Sequence, residues 1–277
     1  MTVSVVIPSF QNSGTLARTL RSVLDQTHTD LEVIVADHSS TDGSLEIARS
    51  FETDPRVRVL TTPAGGGAER NWVRVTKEAT GDLIKLVCAD DVLYPTLIAR
   101  QVAALDAHPS AGIASCQRDL IDPADGVLLR ARGLGRMSGL VPGPNAVRTT
   151  VRAGANLLGE PMCNLIRTDL LRQVGGWQAT EPFLIDQGTY LRILRQADLV
   201  AIPESLAAFR VSSTQWSVAL AAEQAKQAAA LHRRVQTEFP ETVTALDVRL
   251  GNLQALRTAW LRRAAYFVWR KRMVASA

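Results

Sequence analysis

The sequence predicts a layered α/β protein with an open, mostly parallel central sheet. Short apolar runs rich in β-branched residues alternate with segments whose apolar residues recur at helical spacing. The connections are short, and strands that alternate with helices in this way form right-handed crossovers in a sheet covered by helices. Acidic residues directly follow several of the apolar runs. We therefore expect polar side chains at the carboxyl ends of the strands, where ligands bind in such sheets.

The predicted elements of the first part of the chain follow from these patterns. Strands are predicted over 2–8, 31–36, 57–60 and 82–88, and helices over 14–26, 44–51 and 68–79. Leu16 and Leu20 belong to the apolar face of the first helix. The Ser and Asp residues of segment 39–43 suit the N-cap of the second helix.

Two adjacent carboxylates, Asp90 and Asp91, follow the apolar run 83–88, where the fourth predicted strand ends. Neighbouring like charges repel, so the pair is most easily explained by a divalent cation or by substrate hydroxyl groups bound against it. The alternative is an acidic turn before a helix that begins near Pro95, with Asp91 or Thr96 as its N-cap. The spacing alone leaves both interpretations open.

Four polar segments occur in a definite order along the predicted strands. They are residues 3–12 (VSVVIPSFQN), 32–44 (EVIVADHSSTDGS), 68–71 (AERN) and 89–91 (ADD). Together they resemble the family-two glycosyltransferases of the GT-A fold, well over about residues 2–110 and more loosely to about residue 215. The resemblance implies a GT-A sheet flanked by helices. It also implies inverting transfer of a sugar from a nucleotide diphosphate donor, with a UDP-sugar favoured, to an acceptor hydroxyl.

The resemblance assigns the nucleotide site to the first part of the chain. It implies that Pro8 and Phe10 line the nucleoside pocket and that Asp37 hydrogen-bonds uracil or an equivalent base, since a carboxylate accepts an imide N–H. Arg70 matches a family arginine near the base and the phosphates. The alternatives are that Asp37 is a turn carboxylate bonded to the amides that follow it, and that Arg70 is a solvated helix charge.

Asp90 and Asp91 match the Asp-X-Asp region of the family. The resemblance implies that their oxygens hold Mg²⁺ or Mn²⁺ against the two donor phosphates and contact the ribose. Cys88 stands where many members have another Asp, and thiols are poor Mg²⁺ ligands. One or both aspartates must therefore hold the metal. Arg210 matches a position near the diphosphate, with the alternative that it is one surface arginine among many.

Asp186 is the candidate general base. Family members usually have Glu-Asp before an apolar helix, whereas this chain has Ile185-Asp186. The resemblance implies that Asp186 deprotonates the acceptor hydroxyl, and an apolar neighbour favours the raised carboxyl pKa that a base needs. Because the Glu of the family pair is missing, it remains open which residue contacts the acceptor or supports the metal in its place. The alternative is that Asp186 is the N-cap of a helix that begins at Gln187.

A length of 277 residues with 46% hydrophobic residues accommodates one such domain and a tail. We expect a glycosyltransferase domain over 1–216, with a donor half over 1–110 and an acceptor half over 111–216. A helical extension is expected over 217–277, split by Pro240. Segment 133–144, rich in Gly, Arg and Pro, is predicted to be a mobile loop between the two halves.

The partners and the location are also expectations from the sequence. Three widely spaced cysteines and the lack of a signal-like or long apolar segment favour a cytoplasmic protein, either soluble or peripheral at the inner face of the membrane. The aromatic and cationic segment 260–272 suits either an anionic membrane or packing on this domain or on a second copy. No recognition motif for nucleic acid accompanies the net charge of +4.

Other function classes remain open at this stage. A nucleotidyltransferase also uses acidic metal ligands, but segment 10–12 is not the Gly-rich phosphate loop that it needs. A non-catalytic nucleotide-sugar-binding relative would keep Asp37 without needing Asp186, and a structural protein would bind no nucleotide. We expect the acceptor to be a saccharide, a lipid-linked molecule or a small molecule.

Overall fold

A ten-stranded sheet forms the centre of the computed structural model, which describes residues 1–213 and 223–273. The strands are β1 (Val3–Ser9), β2 (Leu31–Asp37), β3 (Val57–Thr61), β4 (Leu83–Leu86), β5 (Val92–Leu93), β6 (Ala111–Ile121), β7 (Val127–Arg132), β8 (Gly139–Val141), β9 (Asn164–Arg167) and β10 (Asp198–Arg210). The helices are α1 (Leu16–Leu24), α2 (Ser44–Ser50), α3 (Gly67–Lys77), α4 (Leu97–Ala107), α5 (Gly143–Ala153), α6 (Thr168–Gln173), α7 (Ile185–Ile193), α8 (Gln224–Glu238) and α9 (Ala245–Trp269). Short 3₁₀ turns cover Pro161–Cys163 and Pro182–Leu184.

The strand order is β3-β2-β1-β4-β9-β6-β10-β5, with β7 paired to β6 and β8 paired to β10. The first four of these strands are parallel, and β9 runs antiparallel between β4 and β6. The predicted α/β sheet flanked by helices is confirmed. The second half adds antiparallel strands to the sheet, so the sheet is mixed.

Both faces of the parallel part are covered, which explains why its strands are apolar at nearly every position. All residues of β1 are buried. Val3, Val5 and Ile7 face a core shared with α1, whereas Val6 faces the core that contains Val75 of α3. This alternation is the period of two that a strand imposes on its side chains.

Two local predictions differ from the structure. Helix α2 has Gly43 at its N-cap with φ +90°, and the Asp42 carboxylate accepts a hydrogen bond from the Ser44 amide. Segment 133–144 was predicted to be a mobile loop, which is wrong because it contains strand β8 and the first residues of α5. Leu134 is fully buried in the core, so this segment packs despite its loop-like composition.

Helices α8 and α9 lie on either side of Pro240, as the sequence predicts. The expected domain boundary at residues 216 and 217 lies outside the described residues. A Thr244–Asp247 capping box begins α9, and buried Asp247 pairs with Arg148 of α5 at 3.1 Å. No helix within 1–213 and 223–273 is both long and apolar enough to cross a bilayer.

Close backbone contact holds α9 against α5. A Cβ atom built on Gly251 would lie 2.1 Å from the carbonyl oxygen of Val151, and one on Gly154 would lie 2.2 Å from the carbonyl oxygen of Gly251. Neither obstacle is a flexible side chain, so any side chain at these positions must separate the two helices.

We expect Gly251→Ala to lower the free energy of unfolding by about 1–3 kcal/mol, because overpacking outweighs the higher helix propensity of alanine. Urea denaturation measures the change. Gly14→Ala is the control, because nothing lies within 4 Å of the added Cβ there. Equal stability of the two variants would show that α5 and α9 can move apart at little cost in free energy.

Candidate functional site

The carboxyl ends of the parallel strands lie side by side at one edge of the sheet. Ser9 of β1 is in register with Asp37 of β2, and Asp37 is in register with Thr61 of β3. Strand β4 runs parallel to β1 and leads into the turn that carries Asp90 and Asp91. The topology therefore brings together the acidic residues that the sequence placed at strand ends.

Ser9 and Asp37 present incompletely bonded polar atoms at this edge. The Ser40 amide donates to Asp37 Oδ2 at 2.9 Å. Within the described residues, the buried Asp37 Oδ1 and Ser9 Oγ atoms have no hydrogen-bond partner. The turn interpretation thus accounts for one carboxylate oxygen only. Beside this pair, Phe10 is 58% exposed and its ring centroid lies 6.0 Å from that of His38.

Asn71 of α3 fixes the strand ends under this pocket, and sequence analysis did not select it. Its amide nitrogen donates to the carbonyls of Ala36 at 2.9 Å and Ser9 at 3.3 Å, and its oxygen accepts from the Thr62 hydroxyl at 2.7 Å. The available signal was a short polar side chain that directly follows Arg70, where α3 turns its buried face toward the sheet.

A glycine loop precedes α3, with φ values of +89°, +77° and +61° at Gly65, Gly66 and Gly67. Side chains are strained in this region, which explains the run of three glycines. Exposed Arg70 folds over the loop and donates to the Ala64 carbonyl at 2.9 Å. The loop is further anchored by a hydrogen bond of 2.9 Å between His38 Nε2 and the Gly65 carbonyl.

Asp90 and Asp91 differ sharply in exposure. Asp91 is fully buried, and its Oδ1 atom accepts the Arg210 amide at 3.2 Å while its carbonyl accepts the Thr19 hydroxyl at 2.8 Å. Burial, and next the charge of Asp90, raise the pKa of Asp91 well above its usual value. Asp90 is only partly buried. Thr96, not Asp91, is the N-cap residue of α4.

Arg210 lies beside this turn, and its guanidinium is engaged with the protein. Its Nε donates to the Asp90 carbonyl at 2.9 Å, and one terminal nitrogen donates to the carbonyls of Asp122 and Pro123 at 3.0 Å. The other terminal nitrogen forms an ion pair of 2.6 Å with Asp125. The arginine is 3% exposed, so it holds the Asp90–Asp91 turn from behind rather than at the surface.

The donor set at this turn fits a hard divalent cation. The buried Asp91 Oδ2 atom has no hydrogen-bond partner in the described part of the chain, and Asp90 provides a second carboxylate next to it. Residues 1–213 and 223–273 contain no cluster of three or more potential protein ligands. Mg²⁺ is commonly bound by one or two carboxylates together with substrate phosphates, and this pair suits that mode.

Asp186 lies in the first turn of α7, which begins at Ile185 and has Leu184 at its N-cap. The alternative that Asp186 is the N-cap residue of this helix is therefore wrong. One carboxylate oxygen accepts the Gln187 amide at 2.7 Å, and the other accepts the Asn156 side chain at 2.9 Å. Burial, chiefly, raises the pKa of Asp186 to about 7, with Glu160 adding to the shift. Such a group changes charge near neutral pH.

Glu160 and Arg118 form an ion pair near Asp186 that sequence analysis missed. Arg118 Nε lies 2.6 Å from Glu160 Oε2, and a terminal nitrogen donates to Oε1 at 3.0 Å. Burial raises the pKa of the Cys88 thiol, with added contributions from the charges of Asp91, Asp90, Asp186 and Glu160. The charges of all four carboxylates thus act on the thiol that follows β4. No local motif marks Glu160, because 42 residues separate it from Arg118.

This fold, with acidic side chains at the carboxyl ends of its strands, defines a GT-A-like transferase class. The sequence model of "Glycosyl transferase family 2" matches residues 4–175. The chain belongs to this family.

Two relatives have about the same sequence identity to this chain. An uncharacterized protein of Mycobacterium tuberculosis is 29% identical over 216 residues, which are 75% of this chain and 66% of that protein. The uncharacterized glycosyltransferase YibD of Escherichia coli is 31% identical over 150 residues, which are 53% of this chain and 43% of that protein. The chain thus spans two thirds or less of the length of these relatives.

Solved structures show the same fold. S. aureus TarS in complex with UDP-GlcNAc has a TM-score of 0.66 and 19% identity, over 86% of this chain and 66% of that one. The mannosyltransferase PcManGT from Pyrobaculum calidifontis, in complex with GDP-Man and Mn²⁺, has a TM-score of 0.64 and 20% identity. That match covers 96% of this chain and 75% of the other.

The raised pKa of Asp186 predicts a pH-dependent stability effect. Between about pH 4 and pH 7 the folded protein retains a proton that the unfolded chain releases, so stability falls as pH rises through this window. The Asp186→Asn variant has no carboxyl at this position, so it does not lose stability in this way as pH rises. We therefore expect the melting temperature of the variant, relative to wild type, to be higher at about pH 8 than at about pH 4.

Asp169→Asn is the matched control, because exposed Asp169 also lies in a first helical turn and accepts the next amide at 2.8 Å. Its difference from wild type should not become more favourable with rising pH. A pH-independent difference for Asp186→Asn, measured by scanning calorimetry, would contradict the buried, proton-retaining carboxyl.

Proposed function

We propose that this protein is an inverting glycosyltransferase that moves a sugar from a nucleotide diphosphate donor to an acceptor hydroxyl. The observation that carries the proposal is the position of Asp37 and of the Asp90–Asp91 turn at the carboxyl ends of the parallel strands of a family-two sheet, with buried Asp186 in α7 as the candidate base. For transfer in a single step, the donor and the base must meet the same reacting atoms.

The nucleoside binds at Ser9, Phe10 and Asp37 in this proposal. The buried, unpartnered Asp37 Oδ1 and Ser9 Oγ atoms would accept and donate to a base edge, which removes the cost of leaving them unsatisfied. Pro8 shapes the wall and Phe10 offers an exposed ring for stacking. A UDP-sugar is favoured because a carboxylate acceptor matches the uracil imide N–H.

Asp90 and Asp91 would hold Mg²⁺ or Mn²⁺ against the donor phosphates. Bound there, the cation offsets the charge that grows on the departing nucleoside diphosphate. Partly exposed Asp90 faces the donor, whereas Asp91 is fixed beneath it by the Arg210 amide. Arg70 lies on the glycine loop next to the nucleoside site, where a cation would attract the diphosphate.

Asp186 acts as the general base on the acceptor. Its ionised carboxylate takes the hydroxyl proton while the acceptor oxygen bonds to the anomeric carbon of the sugar. The bond between that carbon and the phosphate oxygen breaks, and the nucleoside diphosphate leaves with the electron pair. Asn156 and the Gln187 amide orient the carboxylate for this role.

In this proposal Glu160 would supply the nearby negative charge that Ile185 does not provide. Its charge adds to the raised pKa of Asp186, and Arg118 holds it in position. We propose a saccharide, a lipid-linked molecule or a small molecule as the acceptor, and a cytoplasmic location, either soluble or peripheral at the inner face of the membrane. A non-catalytic relative would bind the donor without needing Asp186.

Divalent metal should strengthen binding of UDP by at least about tenfold, and Asp90→Asn should remove this gain. Titration calorimetry with Mn²⁺ or with a chelator measures both quantities. Asp106→Asn removes an exposed carboxylate on α4 and should leave the metal effect intact. Equal affinity with and without metal in the wild-type protein would refute a cation at this turn.

Asp186→Asn should lower kcat by about 10²- to 10⁴-fold while leaving donor affinity nearly unchanged, because the base acts on the acceptor in the transition state. Asp169→Asn again serves as the control for helix position. Transfer at the wild-type rate would place the base elsewhere, and a product of retained anomeric configuration, determined by NMR, would exclude a single displacement.

The same assay tests Glu160. In wild type, kcat/KM should rise with pH to a plateau above about pH 7, as Asp186 ionises. Glu160→Gln removes a nearby negative charge and leaves Arg118 uncompensated, and both changes lower the pKa of Asp186. The kinetic pKa should therefore fall. An unshifted profile would mean that Glu160 serves only the packing of this region.

A further inference from the structure

The outward face of α9 is the most apolar exposed surface of the described chain. It carries large side chains that are 59% to 75% exposed. They are Leu246, Leu253, Leu256, Trp260, Leu261, Phe267 and Val268. The opposite face is buried at Val248, Gly251, Ala255 and Ala259. The helix therefore packs by its small residues and presents its large ones to the outside, the reverse of an ordinary surface helix.

These side chains form a continuous row. Leu246, Leu253, Trp260 and Phe267 recur every seven residues, so they lie nearly in line along the helix, over a length of about 30 Å. Leu256, Leu261 and Val268 widen the row on either side. An apolar ridge of this length is far larger than scattered surface leucines and marks an interaction surface.

The charges beside this row have one sign. Arg249, Arg257, Arg263 and Lys271 are exposed along the helix and its end. The one acidic residue of segment 245–273 is Asp247, which is buried and lies within 3.5 Å of both Arg148 and Arg152 of α5. The outward face therefore combines apolar side chains with positive charge and offers no carboxylate.

This combination disfavours a second copy as the occupant. In a two-fold dimer the same face meets itself, so the cations of one helix would lie against those of its partner without a carboxylate between them. An anionic lipid surface satisfies both features, because apolar side chains enter the boundary between headgroups and acyl chains while the cations meet the headgroup phosphates. Trp260 suits that boundary particularly well.

We propose that the outward face of α9 docks the protein on an anionic lipid bilayer, with the helix lying in the plane of the interface. Two arginines of segment 260–272 contact residues that neighbour the candidate site. The guanidinium of Arg262 lies 5.3 Å from the ring centroid of Phe183, just before α7. Arg272 Nε donates at 2.8 Å to Asp122, whose carbonyl accepts from Arg210. If the proposed function holds, docking brings the site to lipid-linked acceptors.

The test is sedimentation of the full chain with vesicles of phosphatidylcholine alone or with 30% phosphatidylglycerol, at low salt. The protein should sediment with the anionic vesicles and should be released by high salt. Leu253→Ser/Trp260→Ser and, separately, Arg249→Glu/Arg257→Glu should each weaken binding by at least about tenfold. Arg21→Glu/Arg49→Glu, on exposed residues of α1 and α2, changes the net charge equally and should bind more tightly than the α9 charge variant.

Three outcomes would overturn the proposal. They are equal sedimentation with both vesicle types, α9 variants that bind like wild type, and a dimer in sedimentation velocity that dissociates on Leu253→Ser/Trp260→Ser. Circular dichroism checks that each variant folds. Because there are two independent α9 variants, the proposal can still be tested if one of them fails to fold. UDP calorimetry on the same samples separates this proposal from the proposed function, since α9 variants should bind UDP normally.

Discussion

The turn after β4 depends on how Asp91 is buried. An isolated carboxylate in a protein interior is costly, and Asp91 is held there by the amide of Arg210 and by the Thr19 hydroxyl on its backbone. The Arg210 guanidinium then ties the Asp90 carbonyl to the carbonyls of Asp122 and Pro123. Strand β10, the turn and the loop after β6 therefore form one unit, and partly buried Asp90 lies on a fixed backbone.

Burial acts in the same sense at Asp186, the proposed base. Asp186 is shielded from water in the first turn of α7, which raises its pKa to about 7, and two hydrogen bonds only partly offset that effect. A carboxyl poised near neutral pH accepts a proton far better than one with an ordinary pKa. Burial therefore raises the pKa of both Asp91 and Asp186, and in the proposed mechanism a bound cation would offset this effect only at Asp91.

Residues that follow a strand directly could be predicted from the sequence, and residues that meet through tertiary packing could not. Asp37, Asp90 and Asp91 carry their signal locally, because an apolar run ends in a carboxylate. Arg118 and Glu160 lack such a signal, since they meet only when β6 packs against a loop, and the signal of Asn71 is limited to a short polar side chain after Arg70. Segment 133–144 was misjudged for a related reason: its Gly and Pro content is that of a loop, but β8 gains its hydrogen bonds from the distant strand β10.

The close backbone contact between α5 and α9 determines which face of α9 is buried and which face is exposed. Composition alone reveals that segment 260–272 is aromatic and basic, but it does not reveal which side chains face outward. Gly154 and Gly251 allow the backbones of α5 and α9 to approach more closely than any side chain would permit, and Asp247 fixes the start of the helix through its capping box and its arginines. With the small residues turned inward, the row that contains Leu253 and Trp260 has to face outward. The outward position of the apolar row therefore follows from the close glycine contact between α5 and α9.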